Sequence, residues 1–179
     1  MQARGLLMIE HRLIERMIAV IQNTLEQIES TQVVDPLLVD TVVDFIRMYA
    51  DRTHHGKEED ILFKELDKRS LSDEDRRIMK KLIEEHVFSR RTTQTLVAAN
   101  GRYRQGDESA LEEIVDAFHR LVELYPKHIE KEDKTFFPAS RRYFSEDEDK
   151  AMLEAFREFD QKMIHEKYES LIQNLEDQK

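Results

Sequence analysis

Apolar positions in the first thirty residues recur at the helical period. Leu6, Leu7, Ile9, Leu13, Ile14, Met17, Ile18, Ile21, Leu25 and Ile28 predict a first helix ending at about Ser30. A polar turn, "STQVVDP", follows, with Asp35 placed as N-cap and Pro36 as the first helical residue. The second helix runs to about Arg69, and Ser72 with Asp75 in "SLSDED" resembles a capping box for the third. That helix extends to about Gln105, where Gly106-Asp107 reads as a stop and the next cap. A fourth helix crosses Pro126 and fades past Pro138, and Ser145 with Glu148 in "SEDEDK" opens a fifth. Long helices joined by short turns predict an all-α fold, an up-down-up-down four-helix bundle with one helix added. One domain spans 1–179, with the bundle over about 1–143 and the extra helix over about 145–178.

Composition narrows the function. Four Gly, three Pro and 37% charged residues leave little room for strands. A net charge of −10 without a Lys/Arg-rich block argues against nucleic acid as a partner. Without Cys there are no disulfides, thiolate zinc sites or iron–sulfur clusters, so any metal falls to His, carboxylates or Tyr. No apolar run of about twenty residues and no signal-peptide pattern is present, so the expectation is a cytoplasmic protein with no membrane partner.

A lone histidine on a helix is usually exposed or hydrogen-bonded. Four of the seven here are placed otherwise. Counted from the predicted turns, His11, His55, His86 and His128 fall at nearly one height, one on each bundle helix. Internal repetition supports this. "EHRLIER" from Glu10 is echoed by "EHVFSRR" from Glu85, and "HGKEEDILF" from His55 by "HIEKEDKTF" from His128. The second echo pairs His55 with His128 and Glu59 with Glu132, which makes these the inward residues. His54 and Glu58 then lie about 100° around the helix, on an outer or solvent face.

Four imidazoles and two carboxylates exceed what one tetrahedral zinc accepts and fall short of saturating two six-coordinate ions. The expected centre is binuclear: two Fe ions with an oxo or hydroxo bridge and room for a small diatomic or peroxide ligand. Zinc or manganese would suit the same donors in a recombinant preparation.

With "EHRLIERM", "YADRTHHGKEEDILF", "EHVFSRR" and "HIEKEDKTFFP", the chain resembles the hemerythrin-like proteins, or HHE cation-binding domains, over roughly residues 1 to 140. Its opening and added helix are similar to the bacterial cytoplasmic branch. The resemblance implies a non-haem di-iron site in a four-helix bundle. It implies reversible dioxygen binding, reactions with peroxide or nitric oxide, oxygen or iron sensing, or iron handling, and leaves open whether the chain is an enzyme.

Oxygen carriers of the family have a third-helix His-x-x-x-His, whose first position here is Leu82. Tyr49, Tyr125 and His165 are the candidates for that missing donor. Carriers also use a carboxylate five residues after the fourth-helix histidine, Asp133, where HHE relatives use Glu132. Helical geometry favours Glu132, and a π-bulge near Pro126 would reverse the choice.

Overall fold

A computed structural model describes residues 2–176. Among these there is no strand, and five long helical stretches follow one another. The first helix is Ala3–Thr31. The second begins as α-helix at Pro36–Asp44, becomes π-helical over Phe45–His55 and again over Glu58–Phe63, and closes with Lys64–Leu66. The third is Asp73–Arg104. The fourth runs over Ala110–Lys131, then π-helical Glu132–Phe136, then Phe137–Ser140. The fifth is Glu146–Glu176, so the expected end near 178 lies outside the described residues.

Local chemistry sets most of these boundaries. Asp35 accepts from the Leu37 N–H at 2.9 Å, with Pro36 at the first helical position. Ser72 accepts from the Asp75 N–H at 3.2 Å, but Asp75 turns to the Ser72 hydroxyl instead of its N–H, which the Tyr143 hydroxyl serves. The box at Ser145 is reciprocal: Ser145 N–H donates to Glu148 at 2.8 Å, and Glu148 N–H donates to Ser145 Oγ at 3.3 Å. Gly106 takes φ +94° after the third helix, the left-handed geometry that glycine adopts without a Cβ penalty. The second helix stops three residues before the expected Arg69. Its last carbonyls are taken by tight i,i+3 bonds from Lys68 and Arg69.

The third and fourth helices pack along each other, the first lies against the fourth, and the second against the third. This closes a four-helix bundle, and the fifth helix lies on the face made by the first and second. The bundle interior is apolar at both ends and polar in between. One apolar layer gathers Ile14, Ile21, Val39, Leu96, Phe118 and Leu121. The other gathers Leu7, Leu62, Leu66, Leu82, Phe136 and Phe156 of the fifth helix. Each such side chain contributes about 1.5–3 kcal/mol by leaving water. Those two layers support the polar residues between them, which could not collapse into a core unaided. Among the described residues no helix is long and apolar enough to cross a membrane.

Candidate metal centre

Five imidazoles enter the polar layer. The His55 and His86 rings stack at 3.8 Å, His86 and His128 meet edge-on at 4.9 Å, and His11 and His54 meet at 4.6 Å. All five are buried, as are Glu58 and Glu132. Their donor atoms form two groups, each within 4.8 Å: His55, Glu58, His86 and His128, and His11, His54, Glu58 and Glu132. Both carboxylates reach across. Glu58 lies 3.3 Å from His86 Nε2 and 3.6 Å from His54 Nε2, while Glu132 lies 3.1 Å from His11 Nε2 and 3.3 Å from His128 Nε2.

The structure thus brings His11, His55, His86, His128 and Glu132 together and places Glu58, not Glu59, beside them. Glu59 is half-buried outside the cluster, and Glu58 stands inside with His54. On a helix advancing about 100° per residue, Glu58 lies between His54 and His55 in azimuth, about 40° from one and 60° from the other. Glu59 lies about 40° beyond His55, on the outer side. The two π-helical segments widen the turns around this arc, so both adjacent histidines face inward.

The repeat carries the same correction when read one residue earlier. "HHGKEE" from His54 and "HIEKED" from His128 share His, Lys at the fourth position, Glu at the fifth and an acid at the sixth. His54 therefore matches His128, Lys57 matches Lys131, and Glu58 matches Glu132. His55 has no counterpart, since Ile129 stands there. It is an extra imidazole stacked on His86, one turn beyond Leu82, which is fully buried in the apolar layer. None of the three candidates for the donor missing at Leu82 belongs to either donor group, although the Tyr125 ring stacks on His55 at 6.4 Å. Tyr125 is buried with its hydroxyl 3.0 Å from Ser89 Oγ, Tyr49 packs on Phe45, and His165 is exposed. The fourth helix does turn π-helical, beginning at Glu132, yet Glu132 stays inside and Asp133 outside.

Every inward ring is held from behind. The Nδ1 atoms of His11, His54, His86 and His128 lie 2.7–2.8 Å from Asp133, Glu10, Glu59 and Glu85, and His55 Nδ1 lies 3.4 Å from Asp51. Each outer carboxylate in turn meets a cation. Arg12 pairs with Asp133, Lys57 with Glu10, Lys131 with Glu85, and Arg90 with both Asp51 and Glu59 at 2.7 Å. A carboxylate behind a ring fixes the Nδ1–H tautomer and leaves Nε2 as the free donor, the pattern of metal-binding histidines. "EHRLIER" and "EHVFSRR" contain two of these partners, Glu10 and Glu85, but Arg16 and Arg91 of the same strings are exposed.

Electrostatics follow from this crowding. Burial opposes charging of His11, but the adjacent Asp133 and Glu132 carboxylates outweigh it and push its pKa up to about 10. His86 likewise rises to about 9 against its burial, through Glu58 and Glu59. His55 falls well below the usual imidazole value because it is buried beside His86 and His128. Burial disfavours the Glu58 carboxylate too, yet His54 and His86 hold it down at about 2.

The atoms facing inward are short of partners. Nε2 of His11, His54 and His55 and all four oxygens of Glu58 and Glu132 are buried with no hydrogen bond. That donor set, nitrogen and carboxylate oxygen with its partners missing, fits a cation. A model of the family described as Hemerythrin HHE cation binding domain matches residues 3–140. The chain belongs to the hemerythrin family. No curated protein and no solved structure matches it. Membership makes this a metal-binding domain, and the match ends where the fourth helix ends, short of the fifth helix.

Proposed function

We propose that His11, His54, His55, His86 and His128, with Glu132 and with Glu58 common to the two groups, hold two iron ions. The pair binds or reacts with a small oxygen or nitrogen species such as dioxygen, peroxide or nitric oxide. The observation that carries this reading is the set of buried atoms without a hydrogen bond, aimed into the polar layer. Leaving each such atom unsatisfied costs roughly 1–3 kcal/mol, so the cluster is arranged for cations. Two donor groups joined by Glu58 favour two ions over one.

Imidazole nitrogen with carboxylate oxygen suits iron, manganese, zinc or cobalt, and of these iron supplies the redox chemistry that dioxygen, peroxide or nitric oxide engages. Five imidazoles and two carboxylates do not saturate two octahedral ions, which leaves room for an added ligand. The residues contribute the rest. Glu58 and Glu132 supply negative charge in a dry site, and the apolar layers on either side exclude water. Asp133, Glu10, Asp51, Glu59 and Glu85 keep the Nε2 atoms turned inward.

Anaerobic reconstitution with ferrous iron, a metal count and absorption spectra in air test the reading. Two iron ions per chain and a charge-transfer band that shifts with azide or peroxide are expected. Uptake of zinc alone, with a silent spectrum, overturns it.

A further inference from the structure

The two repeats that build the centre differ at His55, which Ile129 replaces in the second, and around Lys57, where the fifth helix packs along the first. Lys57 and Lys131 occupy matching positions, and each pairs with the carboxylate behind a histidine, Glu10 behind His54 and Glu85 behind His128. Lys131 is part-exposed, with 28% of its side chain in water, and Glu85 is its partner. Lys57 is fully buried and has a second partner, Asp160 of the fifth helix, at 2.5 Å.

The neighbouring residue explains how the helix comes so close. Where the second repeat has Glu130, the first has Gly56, and a Cβ there would stand 2.8 Å from Cζ of Phe159. Glycine thus clears space for Phe159, and the next residue of the fifth helix, Asp160, caps Lys57. A buried ammonium needs its charge balanced, and Glu10 alone would have to serve both Lys57 and His54. With Asp160 in place, Glu10 keeps one oxygen for each.

From this we infer that Asp160 is a positioning residue for the metal centre: through Lys57 and Glu10 it fixes the His54 ring, so the fifth helix tightens the His11/His54 half of the site and not the other. This rests on the two-ion reading above. It assigns the helix beyond the matched residues a part in metal retention, and by linkage the metal at that half must hold the helix down by the same factor.

The test uses the full chain loaded with ferrous iron under anaerobic conditions, with chelator competition resolving the two ions. Asp160→Asn and Lys57→Met are each expected to weaken one ion by about tenfold, the lower end of the range for partners behind a ligand, and to leave the other unchanged. Glu166→Gln removes a different carboxylate of the same helix, the one paired with Arg52 at 2.8 Å, and is expected to match the wild type. A nitrogen-15 imidazole spectrum of the metal-free chain is expected to show His54 as the Nδ1–H tautomer, and a mixture of tautomers in Asp160→Asn.

Equal weakening of both ions, or weakening by Glu166→Gln as well, would mean that the helix merely stabilises the bundle and would overturn the assignment. So would an Asp160→Asn chain that holds both ions as tightly as the wild type. A wild-type chain that binds no second ion overturns the two-ion reading and this inference with it.

Discussion

Glu58 and Glu59 are neighbours in sequence with opposite expected roles, and exchanging each for glutamine separates them. Glu58 belongs to both donor groups, is fully buried, and has neither oxygen in a hydrogen bond. Glu58→Gln keeps the volume but removes the charge and one oxygen from a position common to both donor groups. Glu59 retains 27% side-chain exposure and touches His86 from behind while paired with Arg90. Losing such an outer partner costs about 10–100-fold in metal affinity, or about 1.4–2.7 kcal/mol. Losing the shared ligand should exceed that range, more than about 100-fold for at least one ion. Both variants should be loaded with ferrous iron, challenged with graded chelator, and the retained metal counted per chain. The expected order of retention is wild type, then Glu59→Gln, then Glu58→Gln. If Glu59→Gln strips the centre while Glu58→Gln keeps two ions, the placement of Glu58 between the two groups is wrong.

Three further outcomes follow from the same geometry. Saturation with metal at about a thousand times its dissociation constant should add about 4 kcal/mol of stability, or roughly 8–16 °C in Tm for a chain this long; calorimetry with and without chelator checks it, and an unchanged Tm contradicts it. In the metal-free chain, His11 at about 10 and His86 at about 9 lie above the ordinary imidazole value. Their contribution is complete below roughly pH 6.5 and is lost as pH rises through those values, so the metal-free Tm should fall across that window, and a rise would refute the pairing with Glu58, Glu59, Glu132 and Asp133. Gly56→Ala should fail to give the roughly 1 kcal/mol that helix propensity offers, because its Cβ must displace Phe159; a Tm gain of about 2–4 °C would show that the fifth helix does not pack there.

Much of this was legible in the sequence because it rests on local chemistry. Asp35-Pro36, Ser72 and Ser145 mark helix starts through side chains that serve nearby N–H groups, and each is found doing so. The common height of His11, His55, His86 and His128 follows from helical rise alone. Azimuth was harder. Two histidines stand side by side at 54 and 55, so two registers of the repeat fit, and only one of them places Glu58 inward. Aligning His55 with His128 therefore shifted the repeat by one residue, although the lysines at 57 and 131 carry the right register. The outer cations are tertiary as well: Arg90 and Arg12 find their carboxylates on other helices, so spacing within one helix does not reveal them.

Anomalous diffraction from crystals of the iron-loaded chain tests the central claim most directly, since it locates each ion against named donors. The account predicts two iron peaks per chain, one among His11, His54, Glu58 and Glu132 and the other among His55, Glu58, His86 and His128, with Glu59 bound to neither. A single peak, or a peak coordinated by Glu59 in place of Glu58, would contradict it.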